Sequence, residues 1–166
     1  MTHKDISADE WANLSLMNDE DIDYSLLPED VLKKLALGNE FYIATSALME
    51  LWVRESSATA PLAWEILSNS HGDRYLQATA LRVLFRTNKE KALDYMIRQA
   101  QECDIFVLNE MMQLIVENPS DFTWAYDSSV VRIIFEQLKK LEDEQELIDK
   151  EVRDSFLKLY GSVKIS

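Results

Sequence analysis

Three stretches of the chain repeat one spacing of apolar residues. Tyr42-Ile43-Ala44-Thr45-Ser46-Ala47-Leu48-Met49-Glu50-Leu51-Trp52 aligns with Tyr75-Leu76-Gln77-Ala78-Thr79-Ala80-Leu81-Arg82-Val83-Leu84-Phe85 at an offset of 33 residues. A weaker copy, Phe106 to Val116, follows 31 residues later. Each copy precedes a second apolar segment: Trp64-Glu65-Ile66-Leu67, Tyr95-Met96-Ile97 or Ile133-Ile134-Phe135. One amphipathic helix pair cannot bury its apolar face alone, whereas stacked pairs can, with terminal helices covering the open ends. Ala47 and Ala80, at matching positions, suit close helix–helix approach. The alternative is an irregular helical bundle, since any two amphipathic helices share an apolar stripe.

Punctuation favours helices. The 166 residues include three glycines and three prolines, too few for the many turns of an all-β domain. With 47% apolar residues, a core is available over the size of one domain. Ser7-Ala8-Asp9-Glu10 reads as a capping box opening a short helix with Trp11, Leu14 and Met17. Asn18 to Leu27 reads as an acidic linker. Pro28, Glu29 and Asp30 suit a first helical turn, and Val31, Leu32, Leu35 and Ala36 form its apolar stripe. Gly38 is expected to end that helix in the left-handed conformation. Asn39 is expected to cap a helix to about Glu55, Thr59 to start one to about Asn69, and Asp73 to cap one to about Arg86. A second capping box, Thr87-Asn88-Lys89-Glu90, leads a helix to about Gln101, and Asp104 starts another that Pro119 stops. Ser120 to Asp127 reads as an aromatic loop, with Asp127 capping a helix to about Leu141 and a last helix ending before Gly161. The expected architecture is one all-α domain over 1–166. It consists of N-terminal capping helices and linker (1–38), three helix pairs (39–141) and a C-terminal capping helix (142–166), arranged as an α-α superhelical stack.

The net charge is −13 and is unevenly placed. Residues 1–30 hold nine acids against Lys4, residues 141–154 hold seven against Lys150 and Arg153, and residues 31–140 are nearly balanced. Such a field repels nucleic acid and anionic membrane and attracts basic proteins. It also serves solubility alone. No apolar run approaches the ~20 residues that span a bilayer. The start, Met-Thr-His-Lys-Asp, has no secretory character, so the expected location is the cytoplasm.

Chemistry-bearing constellations are sparse. Cys103 is the one cysteine, and its neighbours Glu102 and Asp104 disfavour a thiolate. His3 and His71 have no partner at a ligand spacing, so no metal is expected, and His71 reads as an exposed turn residue. No phosphate-cradling glycine loop or nucleophile elbow is present, and neither an enzyme activity nor a cofactor is expected. Asp19, Asp21, Asp23 and Asp30 fall at calcium-loop spacings, but Tyr24 replaces the turn glycine and Pro28 lies inside the loop. A solvated linker is one reading of this run. A partner-binding edge is another, because Asp19, Glu20, Asp21 and Asp23 flank Ile22, Tyr24, Leu26 and Leu27. The loop Phe122-Thr123-Trp124-Ala125-Tyr126-Asp127 offers a second candidate edge, with Tyr126 and Asp127 its partner-binding residues and Phe122 packing inward.

The period and apolar spacing over residues 39–141 resemble HEAT-like helical repeats. A small acidic helical stack without a catalytic constellation resembles the helical bacterial immunity proteins of contact-dependent growth inhibition and related polymorphic toxin systems. That resemblance covers architecture and charge and carries over no individual residue. It implies a protein that neutralises a cognate secreted toxin's C-terminal domain, often a basic nuclease. The alternative is a HEAT-like scaffold or adaptor that takes a basic peptide or protein in its concave face.

Overall fold

A computed structural model describes residues 22–122, 125–148 and 150–160, without the side chains of 125–129, 145 and 160. Among these residues the secondary structure is entirely helical. Eight α-helices follow in order: α1 (Glu29–Ala36), α2 (Phe41–Val53), α3 (Thr59–Ser68), α4 (Arg74–Thr87), α5 (Lys89–Gln99), α6 (Ile105–Glu117), α7 (Ala125–Lys140) and α8 (Lys150–Tyr160). Short 3-10 turns occupy Tyr24–Leu26, Pro119–Phe122 and Glu142–Leu147. The chain divides into two compact units, Met1–Thr87 and Asn88–Ser166.

The first unit is built around α2, whose sequence FYIATSALMELWV holds one charged residue. A helix apolar nearly all round must be covered on several sides. Helices α1, α3 and α4 all pack on it. Ile43, Ala44, Ala47, Leu48 and Leu51 are buried on its inner side. The alanines at 44, 47 and, on α4, 80 have no exposed surface, as close approach between helices requires. Against them lie Leu32 and Ala36 of α1, Ile66 of α3, and Leu76 and Leu84 of α4, all fully buried. Each buried leucine or isoleucine here contributes about 1.5–3 kcal/mol relative to exposure.

His71 joins two links of this unit. It sits between α3 and α4, and its Nε2 lies 3.0 Å from the Gly38 carbonyl in the link between α1 and α2. A carbonyl only accepts, so Nε2 carries the proton and donates. The ring also meets Phe41 edge-on, with centroids 5.9 Å apart. The sequence placed His71 in an exposed turn; the fold half-buries it as a tie between links 33 residues apart. Because Gly38, Phe41 and His71 meet, α2 and α4 begin at the same end of the unit and run in the same direction.

In the second unit α7 and α8 pack on α6, and α5 packs on α7. Phe156 of α8 is fully buried and stacks at a tilt on Phe135 of α7, 4.8 Å between centroids. Phe122 is buried, and the Lys89–Asp121 ion pair at 2.9 Å ties the start of α5 to the turn carrying it. Gln137 of α7 donates through Nε2 to the Cys103 carbonyl at 2.9 Å, supporting the link between α5 and α6.

Several expected boundaries hold and several move. Asp73 accepts from the Leu76 N–H, and Asp104 from those of Phe106 and Val107, as expected of caps. The second capping box does not form: Thr87 Oγ1 donates back to the Val83 carbonyl inside α4, and Asn88 caps α5 by accepting from Lys91 N–H. Gly38 is not left-handed; Gly72 is the described glycine with positive φ, at 82°. A Cβ at Gly38 would approach the Leu35 carbonyl to 3.2 Å, so close backbone approach is what a glycine relieves there. Asp127 does not cap α7, which already begins at Ala125. Its carboxylate type still suits a first turn, where the helix dipole is positive. The expected helix at Ser7–Met17 lies outside the described residues.

Replacing the His71 tie tests its structural role. His71→Ala loses one hydrogen bond of about 1 kcal/mol and an aromatic contact of about 0.5–1.5 kcal/mol. Urea unfolding is expected to show a total loss of about 2 kcal/mol with unchanged helical content. An unchanged midpoint would show the tie to be incidental.

Candidate partner-binding site

The end of the first unit opposite His71 gathers the features a partner surface needs. Helix α2 closes there with Glu55 N–H on the Trp52 carbonyl at 2.9 Å and Ser56 N–H on the Leu51 carbonyl at 3.0 Å. This closure puts Glu55 at φ 55°, the left-handed conformation usually filled by glycine. A side chain there costs roughly 1–2 kcal/mol. Ser70, at φ 50°, ends α3 in the same way, with His71 N–H on the Ile66 carbonyl at 2.9 Å. Strain held in an exposed carboxylate at a surface turn is a pointer to function.

Arg54 fastens the preceding chain to this helix end. Its Nε pairs with Glu50 at 3.0 Å, and its Nη2 donates to the carbonyls of Tyr24 at 2.9 Å and Ser25 at 3.2 Å. A cation at a helix C-terminus also opposes the negative end of the dipole. The turn is ordered from within: Asp23 Oδ1 accepts from Ser25 N–H at 3.1 Å and from Ser25 Oγ at 2.5 Å. Ser56 Oγ donates to the Glu29 carboxylate, a further tie between the α2–α3 link and the start of α1.

Leu26 is left 78% exposed and Val53 70% exposed at this end. The exposed carboxylates of Asp23, Glu29, Asp30 and Glu55 belong to the same segments. Chemically the arrangement offers two apolar anchors with an anionic rim on a backbone that is already fixed. Prefixed anchors bind with a smaller ordering penalty.

Among the residues expected from sequence, Asp23 is exposed and Tyr24 half-buried here. Of the apolar side chains flanked by acids, Ile22 is buried and Leu27 half-buried, so Leu26 is the one that faces water. Asp19, Glu20 and Asp21 lie outside the described residues. Tyr126 and Asp127 fall in the first turn of α7, in the second unit, and their side chains lie outside the described atoms. Sequence reasoning missed Val53, Arg54 and Glu55. One signal for Arg54 was present: it is the only base between Lys34 and Arg74.

Two side chains in the second unit have displaced acidities. Burial, then the charge of Asp104, pushes the Cys103 thiol from 9.0 up to about 12. Burial, then Cys103 and Asp104, pushes the Tyr95 phenol from 10.0 up to about 12. Both are therefore neutral packing groups at physiological pH, and Cys103 donates to the Ala100 carbonyl at 3.5 Å. Among the described residues no three His, Cys, Asp or Glu side chains are grouped to hold a metal ion. No described helix is long and apolar enough to cross a membrane.

Two outcomes are expected. Glu55→Gly relieves the left-handed strain and raises stability by about 1 kcal/mol in urea unfolding; a loss would show that the Glu55 side chain stabilises its turn. The weakened acidities of Cys103 and Tyr95 make the native form the better proton holder in alkali. Their contribution is complete below pH 9 and is lost as pH rises through 12. The fall in urea midpoint above pH 10 should accordingly be shallower for Tyr95→Phe than for the parent. Parallel profiles would contradict the burial of that phenol.

Compared with known protein families, characterised proteins and solved structures, the chain matches none.

Proposed function

We propose that the chain is an immunity protein with HEAT-like helix pairs, which binds a secreted toxin's C-terminal domain and blocks its active site or substrate surface. The observation carrying this reading is the acid-rimmed end of the first unit, where Leu26 and Val53 stand in water beside exposed carboxylates. A domain that grips phosphates is basic, and an acidic inhibitor exploits the same field. Complementary charge accelerates encounter, up to ~10⁸–10⁹ M⁻¹s⁻¹ at low salt. Retention then requires a desolvated apolar centre inside a polar rim. Leu26 and Val53 supply that centre in this proposal, with Asp23, Tyr24 and Glu55 at its edge. Asp19, Glu20 and Asp21 precede the same turn in sequence and add to the negative charge of this segment. Tyr126 and Asp127 remain second candidates, on the second unit.

The two roles separate in kinetics. Neutralising Asp19, Glu20, Asp21 and Asp23 to their amides should slow association with a basic nuclease domain and flatten its dependence on salt. Leu26→Ser should instead speed dissociation, by about tenfold for each 1.4 kcal/mol lost. If neither variant changes its rate constant, this end of the molecule is not the binding site.

A further inference from the structure

Helix α2 is apolar nearly all round, yet part of its circumference stays in water. Its buried residues are Ile43, Ala44, Ala47, Leu48 and Leu51. Tyr42, Ser46, Met49 and Val53 follow one another at helical spacing and form a column on the opposite side. Tyr42 is 74% exposed at its start and Val53 70% exposed at its end, with Ser46 and Met49 half-buried between them. The column is uncharged and runs for about 16 Å at ~1.5 Å per residue. Glu50, the one charge on the helix, lies beside the column and pairs with Arg54 at 3.0 Å. Exposed carboxylates bound the column at both ends, Glu40 before it and Glu55 after it. Glu40 precedes α2 without using its side chain to cap the helix. An uncharged centre between carboxylates has the layout of an interface core inside a polar rim.

We propose that this column continues the candidate partner-binding site along α2 and seats an amphipathic helix of the partner, with a basic residue at each end of its uncharged face. The inference rests on the reading of Val53 and Glu55 as part of that site. Val53 belongs to both, so site and column form one continuous surface. The seated element is a helix for two reasons. Strand addition needs an unpaired sheet edge, and the described residues hold no strand. A row of side chains along a helix also matches the ridge of a second helix, and the small Ser46 between Tyr42 and Met49 leaves a notch for that ridge. Glu40 and Glu55 lie on the order of 22 Å apart along the axis, so the basic residues of the seated helix are about four turns apart. Tyr42 then anchors the end far from Leu26, with a large, rigid ring and few bonds to immobilise.

Surface-plasmon kinetics of the full chain on the immobilised basic C-terminal nuclease domain of a secreted toxin test this seating, with sedimentation of the chain alone run beside them. Tyr42→Ala should speed dissociation roughly tenfold, while Tyr42→Phe, which keeps the ring, stays near the parent rate. Glu40→Gln should slow association at low salt. Circular dichroism confirms that each variant is folded, as an exposed position allows. If the parent binds and Leu26→Ser speeds dissociation but Tyr42→Ala does not, the column is no part of the site and only this inference falls. If the parent does not bind, the reading of the site falls and the inference with it. Equal weakening by Tyr42→Phe would assign the effect to the hydroxyl and overturn the apolar contact. A parent that is dimeric on its own and monomeric as Tyr42→Ala would give the column to a second copy of the chain, which also overturns the proposal.

Discussion

Helix α2 has to be covered, and that requirement organises the first unit. Its thirteen residues carry a single charge, Glu50, so water is a poor neighbour for most of its circumference. Helices α1, α3 and α4 answer this by packing on it. Ala44, Ala47 and Ala80 let the backbones approach, while Leu48 and Leu51 fill the space between them. The two ends are then closed differently. One is tied by His71 to Gly38 and Phe41, the other by Arg54 to the turn at Tyr24. Apolar packing supplies most of the free energy, and the two polar ties fix where the connecting segments lie.

What the sequence made legible follows the range of the interaction responsible. Asp73 and Asp104 cap helices through bonds two or three residues away, and local pattern was sufficient to find them. The apolar stripe of α1 was equally plain, because Val31, Leu32, Leu35 and Ala36 repeat at helical spacing. The capping box at Thr87 failed because two local bonds competed: the Thr87 hydroxyl prefers the Val83 carbonyl, leaving Asn88 to begin the next helix. Glu55 and Ser70 end helices in a conformation that composition would assign to glycine, so their positions were hidden.

The candidate site divides in the same way. Asp23 and Tyr24 stood out because acids and apolar residues alternate within a few positions. Val53 and Glu55 joined them only through contacts spanning about thirty residues, such as Arg54 to Tyr24. No period or motif announces a guanidinium reaching two backbone carbonyls. His71 was misread for the same reason: its partners, Gly38 and Phe41, lie 33 and 30 residues earlier. Long-range polar ties of this kind position the surface, while short-range patterns lay out the helices beneath it.

The functional account joins a negative field to a prefixed pair of apolar anchors. In the proposed function, the field would guide a cationic surface in and the anchors would hold it once water is expelled. Its most direct test is titration calorimetry of the full chain against the basic C-terminal nuclease domain of a secreted toxin, at physiological salt, with the toxin's activity followed in parallel. The account predicts a single one-to-one complex of nanomolar affinity and complete loss of toxin activity. Absence of heat and undiminished activity would contradict it, and so would micromolar binding shared equally among unrelated basic proteins.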